Sequence, residues 1–536
     1  MKAHRPTVEM SNIITASRRQ KGLKIIAFAG AGKTTTMQLI AEDLCRRGKS
    51  GYYLAFNSSI VEGVEKKMPK GVVVKTFHSL AYNSVSRGIT AKLNNKKNLY
   101  PTTYGLDFYI QGFVVIADTT KSKVKGSLTD KMYINNYRQF IVIKRAMDAF
   151  LLDMTQTPEA AHITSVCDRA LKANLNEDSK NLIAARLLPV LNKLWLRYKD
   201  EDDEYAISHD VYLKLWALSE PVIDTDFILF DEAQDSDKLM LNILARQKAK
   251  IFYVGDPHQQ IYEWRGAVNA MNAINLPPYY LTKSFRFGAE IAAYASNMLR
   301  YLGETNEMTG VEKESFVDTT TTMPTDANVI LCRTNIGAIE AVVKFTNETD
   351  IKVVPKNIVL DDTIGLLKQI EQFRLKDESL DATNHFIFGN FKDFDDMIKF
   401  CKECPSDNTI APTIKLYNEY GYDVICNILT NAEKVDKRRK DVLIATTAHK
   451  SKGLEWDNVF IWEDFQIMMK YDAMEKYLNG QDSEKLAGTH PISNEEARLL
   501  YVTITRAKNK VYAANINVLI RYLARLEQEK LVKTNK

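Results

Sequence analysis

Short apolar runs alternate with stretches of helical spacing along most of the chain. Residues 23–28 (LKIIAF) form a run of strand length, AGAGK turns, and TTTMQLIAEDLCRRG carries apolar residues at helical intervals. A second run at 52–57 (YYLAFN) leads through a helix-like stretch to a third, VVVKTF. Strands separated by helical patterns predict parallel βαβ units and an α/β sheet. From about 85 to 221 the character changes. Lysines crowd 92–97 and 121–125, and the patterns YRQFIVIKRAMDAFLLDM and NLIAARLLPVLNKLWLRY predict a mostly helical insertion. The sheet resumes with FILF (227–230) and IFYVG (251–255). Further strands are expected at 328–333 (NVILCR), 441–446 (DVLIAT) and 458–462 (NVFIW), in a second α/β unit. That unit is interrupted between about 359 and 436 by a shorter insertion ending in the basic run KVDKRRK.

Length fits this division: 536 residues leave room for about three or four domains. Hydrophobic residues make up 45% and charged residues 26%, so the chain can bury real cores and is neither disordered nor collagen-like. Lys and Arg number 72 against 67 for Asp and Glu, a surplus of +5. That excludes a histone-like coat of positive charge and leaves room for a locally basic groove. No apolar run is long enough to span a bilayer, and MKAHRPTVEM lacks the apolar segment of a secretory signal. Six cysteines are too few for a disulfide scaffold. Cys401 and Cys404 form the one close pair, with Cys426 and His385 within reach in sequence. A structural zinc would want a second tight pair, so ordinary thiols are expected.

The chemistry begins at Ala27-Phe28-Ala29-Gly30-Ala31-Gly32-Lys33-Thr34, a glycine-rich loop between a strand and a helix. Such a loop turns backbone N–H groups onto phosphates, and the helix N-terminus adds a favourable dipole. Lys33 would reach the β and γ phosphates, and the Thr34 hydroxyl, with Thr35 beside it, stands where Mg²⁺ is held. The first position is Ala27 rather than Gly, one residue short of the strict pattern. Downstream, FILFDEAQD ends an apolar strand in Asp231 and Glu232, where a parallel sheet presents ligands. Asp231 would hold Mg²⁺, and Glu232 would orient and deprotonate the attacking water. Adjacent carboxylates alone usually lie on a solvated loop; after a strand and a phosphate loop they imply an ATPase.

The segment VGDPHQQIYEWRGA (254–267) narrows the class. Together with AFAGAGKT, DEAQD, TAHKSKGLEWDNVFI and EEARLLYVTITRAK, it resembles the UvrD/Rep-like branch of superfamily 1 helicases. The motifs stand in that family's order from 27 to 508, and AFAGAGKTTT and YLAFN are most similar to the F-box DNA helicase group, without an F-box-like extension. The resemblance implies an α/β fold of two RecA-like P-loop domains with parallel sheets, each interrupted by an inserted, mostly helical subdomain. On that reading 1–84 and 222–277 form domain 1A, 85–221 insertion 1B, 278–358 and 437–536 domain 2A, and 359–436 a short insertion 2B.

It also implies an ATP- and Mg²⁺-dependent motor that moves 3′ to 5′ on single-stranded DNA, binds single-strand/duplex junctions and unwinds them. Gln259 matches the glutamine that senses the γ-phosphate. Arg286 in LTKSFRFG and Arg506 in TITRAK match the two arginines that approach that phosphate from the second domain. Glu455 matches an acidic residue touching both DNA and nucleotide, and Phe285 stands where a tyrosine would stack on adenine. Phe56, Tyr262, Trp264, Arg265, His78 and His449 match positions that grip the strand. Aromatic stacking supplies sequence-independent grip of about 1–3 kcal/mol per base.

The upstream glutamine that reads adenine has no counterpart in PTVEMSNII; Gln20 lies nearest the loop. The sequence continues for 28 residues after Lys508, and no appended nuclease domain is expected. The leading expectation is a helicase or translocase. The alternative is a DNA-stimulated ATPase that strips proteins or powers a partner without processive unwinding, which the short 2B segment suits. A scaffold with a dead ATPase is disfavoured by intact Lys33, Thr34, Asp231, Glu232 and Arg506. The expected compartment is the cytoplasm of a bacterial or phage-infected cell, or a eukaryotic nucleus. The pathway stays open among repair, replication, recombination control and phage or defence systems.

Overall fold

The computed structural model describes residues 5–55, 58–116, 131–171, 173–261, 270–380, 388, 391–403, 410–435, 442–481 and 490–534. Two units emerge: 1–27 with 33–281, and 28–32 with 282–536. No helix among the described residues is long and apolar enough to cross a membrane.

The first unit contains β1 (Gly22–Ala27), β2 (Gly51–Ala55), β3 (Val72–Thr76), β4 (Phe113–Ile116), β5 (Lys131–Ile134), β6 (Phe227–Phe230), β7 (Lys250–Gly255) and β8 (Pro278–Leu281). Six of these form one parallel sheet in the order β3-β2-β6-β7-β1-β8. Every residue of β6 is buried, which is why FILF reads as an unbroken apolar run: both faces of a parallel sheet are covered. The expected strands are present. β8 is an addition, and it moves a boundary: it pairs with β1, so the first unit runs to Leu281 rather than stopping at 277.

Between β3 and β6 the chain is mainly helical, as its spacing implies. Helices Asn136–Leu151, Ala160–Leu171 and Glu177–Lys199 pack on one another, the last burying Ile183, Leu187, Leu191 and Leu194 along one stripe. β4 and β5 add an antiparallel pair that helical periodicity did not reveal.

The second unit holds β9 (Phe316–Asp318), β10 (Val329–Cys332), β11 (Val353–Pro355), β12 (Leu443–Thr447), β13 (Trp456–Ile461) and β14 (Ala507–Tyr512). They form a second parallel sheet in the order β11-β12-β10-β13-β14-β9. The short insertion between β11 and β12 is helical too. Its Leu367, Ile370, Ile414, Ile425 and Leu429 join the same apolar core as Ile330, Val342, Phe345 and Leu443, so it is fused to the sheet's own packing.

Leu229, fully buried on β6, tests how far the site depends on this core. Leu229→Ala should cost about 2–5 kcal/mol, the usual range for emptying a packed leucine site. Chemical denaturation measures it; a loss below about 1 kcal/mol would mean the sheet relaxes around the gap.

Candidate active site

β6, β7 and β1 are neighbours, so their carboxyl ends bring three segments to one edge of the first sheet. Ala27, buried, ends β1; the chain re-enters this unit at Lys33, the first residue of helix Lys33–Arg46. Asp231 follows β6 and Asp256 follows β7. Lys33 Nζ lies 2.6 Å from Glu232 Oε1, with the two side chains 15% and 19% exposed. Burial pulls the Lys33 ammonium down, but Glu232, Asp231 and Asp256 outweigh it and leave it above the ordinary lysine range. Burial, then the adjoining Glu232, push the Asp231 carboxyl up.

A hydrogen-bonded chain fixes these groups. The Glu232 N–H donates to Asp231 Oδ1 at 2.9 Å, and the Tyr53 hydroxyl donates to Asp231 Oδ2 at 2.5 Å. Gln234 Nε2 donates to Glu232 Oε2 at 2.5 Å, while Gln234 Oε1 accepts from the Asp256 N–H at 3.0 Å. Asp256 Oδ2 in turn accepts from Gln259 Nε2 at 2.8 Å. Glu232 holds a left-handed backbone (φ 52°), costly for a non-glycine residue and sustained here by this network. The sequence pattern marks neither Gln234 nor Tyr53 as a site residue: Gln234 lies inside FDEAQD, and Tyr53 carries no signal.

Thr34 and Asp231 offer a hydroxyl and a carboxylate, hard oxygen donors of the kind that hold Mg²⁺ with few protein ligands. Both bond to the Tyr53 hydroxyl. The residues present therefore fit the metal. Thr35 is exposed on the same helix. Gln20 spends its amide on the Tyr279 hydroxyl, 2.7 Å away.

Loop residues Phe28, Ala29, Gly30, Ala31 and Gly32, expected in the first domain, belong to the second unit. Their backbone explains it. The Ala29 N–H donates to the Tyr501 hydroxyl at 3.0 Å, and the Gly30 carbonyl accepts from the Phe285 N–H at 2.8 Å. Gly30 sits at φ 72°, and a Cβ there would stand 2.6 Å from Ser284 Oγ.

The same unit gathers the other expected nucleotide residues. Arg286 Nε donates to Glu455 Oε2 at 2.9 Å, and its Nη1 to the Thr505 carbonyl at 2.6 Å. Arg506, the next residue, is buried, with Nε on the Val502 carbonyl at 2.9 Å. Lys508 Nζ lies 3.0 Å from Glu455 Oε1. Burial works to raise the Glu455 carboxyl, but Lys508 and Arg286 outweigh it and hold it below the usual range. The Phe285 ring is 47% exposed, free to meet a planar ligand.

Of the expected DNA contacts, His78 is the second residue of helix Phe77–Ser84, with Nε2 3.6 Å from Asp210 and edge contacts to His209 and Tyr212. His449 begins the single turn after β12. Phe56, Tyr262, Trp264 and Arg265 lie outside the described residues, as do His385 and Cys404 of the cysteine cluster. Among the described residues no His/Cys/Asp/Glu group could hold a metal ion on its own.

A phosphate-loop sheet and a second parallel sheet carrying paired arginines define a two-sheet P-loop protein. Residues 8–274 match the UvrD/REP helicase N-terminal domain, and residues 225–517 match the UvrD-like helicase C-terminal domain. The chain belongs to the UvrD-like helicase family. It is 28% identical to F-box DNA helicase protein 1 of Schizosaccharomyces pombe, covering 91% of this chain and 55% of that protein. With F-box DNA helicase 1 of Gallus gallus the identity is 29%, over 91% and 46% of the two chains. A probable DNA helicase II homolog of Mycoplasma genitalium is 22% identical over 92% of this chain and 82% of its own length. The chain thus spans about half the length of the two F-box relatives.

Gly30 gives the most direct test of the loop. Gly30→Ala must leave this backbone conformation, at a cost of about 1–2 kcal/mol, and should weaken binding of a fluorescent ATP analogue roughly 10-fold. An unchanged affinity would show that the glycine is incidental.

Proposed function

We propose that this protein is an ATP-dependent DNA helicase or translocase that moves 3′ to 5′ along single-stranded DNA and acts at single-strand/duplex junctions. The observation that carries the reading is the assembly of Lys33, Asp231, Glu232 and Gln259 at one sheet edge. Arg286, Arg506 and Glu455, gathered around Thr505 in the other unit, support it.

In this reading the ATP phosphates replace Glu232 as the partner of Lys33. Released from the ion pair, Glu232 keeps its bond to Gln234 and accepts a proton from the attacking water. Gln234 and Gln259, joined through Asp256, hold the polar edge around that water. Thr34 and Asp231 would hold Mg²⁺, which when bound neutralises charge on the β- and γ-phosphate oxygens. Arg286 and Arg506 would supply charge to the transition state, an effect worth ~10³–10⁵ in rate. His78 and His449, with Phe56, Tyr262, Trp264 and Arg265, would contact the strand. The names of the F-box relatives, DNA helicases, point the same way.

Glu232→Gln should bind ATP and turn over at least about 10²-fold more slowly, because the amide cannot accept the proton. Loss of binding together with turnover, in a nucleotide titration beside a phosphate-release assay, would make Glu232 structural instead. Arg286→Ala should lower single-turnover hydrolysis by about 10³-fold or more while leaving the melting temperature nearly unchanged, since Lys508 still pairs Glu455. Polarity is read on partial duplexes. A 3′ single-stranded tail should support unwinding and a 5′ tail should not; efficient unwinding from a 5′ tail would overturn the assignment.

A further inference from the structure

Tyr53 lies on β2 with none of its surface exposed, and its hydroxyl stands between the two expected metal ligands. The hydroxyl donates to Asp231 Oδ2 at 2.5 Å, and the Thr34 side chain bonds to the Tyr53 hydroxyl itself. A phenol has one proton to give. Because Tyr53 spends that proton on Asp231, it can only accept from Thr34. The Thr34 hydroxyl hydrogen is therefore committed to Tyr53, and its lone pairs are left for a cation. At the other end, Asp231 Oδ1 is held by the Glu232 N–H at 2.9 Å, so both carboxylate oxygens have a fixed donor.

We propose that Tyr53 is a positioning residue of the metal site: its hydroxyl orients the Thr34 lone pairs and the Asp231 carboxylate so that Mg²⁺ meets a preset pair of donors. This rests on the nucleotide-site reading above. Without the hydroxyl, Asp231 Oδ2 loses its donor, and the Thr34 hydroxyl is free to rotate its hydrogen onto Asp231. The hydroxyl then becomes a poorer ligand. Groups that orient metal ligands from behind typically matter by about 10–100-fold in metal affinity.

The test compares wild-type protein with Tyr53→Phe, which keeps the ring and removes only the oxygen. A fluorescent, non-hydrolysable ATP analogue is titrated twice, in EDTA and in excess Mg²⁺, and melting is recorded in EDTA. The expected result is unchanged affinity in EDTA and a loss of about 10-fold in the tightening that Mg²⁺ produces. An unchanged Mg²⁺ effect would overturn the proposal. Equal weakening with and without metal would assign Tyr53 to pocket packing and overturn it too. A variant that fails to fold would place the hydroxyl in the architecture and count equally against it. If wild-type binding shows no Mg²⁺ effect, the metal-site reading itself fails, an outcome distinct from failure of Tyr53 alone.

Discussion

A parallel sheet delivers its strand ends to one edge, and here that edge collects Asp231, Glu232 and Asp256. Three carboxylates in a poorly hydrated site repel one another and lose solvation, a combination that would neutralise some of them or open the structure. Lys33 supplies the counter-charge. Its ion pair with Glu232 and its attraction to the two aspartates make the cluster tolerable without ligand. On the proposed function the same arrangement would be responsive. A nucleoside triphosphate would bring negative charge that competes for Lys33, and once the pair exchanged, Glu232 would become an available base. Gln234 joins Glu232 to Asp256 and Gln259 through two side-chain bonds and one backbone N–H.

The second unit shows a related economy. Arg286, Glu455 and Thr505–Lys508 lie far apart in sequence, yet Arg286 bonds to Glu455 and to the Thr505 carbonyl, and Lys508 closes on Glu455 from the other side. Arg286 is held by the Glu455 carboxylate and the Thr505 carbonyl, and Arg506 by the Val502 and Leu454 carbonyls and the Thr505 hydroxyl.

Much of this was legible in the sequence because the strands buried along nearly their whole length are also the ones that carry chemistry at their ends. FILF followed by Asp231 and Glu232, and LKIIAF followed by the glycine loop, combine a period signal with a motif. Other strands escaped for physical reasons. β9 and β11 are three residues each, β8 exposes Pro278, and β14 carries Lys508 and Lys510, whose charges are satisfied by Glu455 and Asp318. Tyr53 was invisible because an apolar strand with a tyrosine reads as core; only the bonds of its hydroxyl to Thr34 and Asp231 give it a place in the site. The strained backbone of Glu232 has no sequence signature either. The placement of Phe28–Gly32 with the second unit depends on Tyr501 and Phe285, hundreds of residues away, which local pattern cannot anticipate.

On the proposed function, this site hydrolyses ATP and single-stranded DNA drives it. Steady-state phosphate release, measured without polymer and with single-stranded DNA, duplex DNA or RNA, tests it directly, with Lys33→Ala as the control. Single-stranded DNA should stimulate strongly above the other polymers, and turnover should be nearly lost in the variant. Equal rates with and without single-stranded DNA, or wild-type turnover in Lys33→Ala, would contradict it.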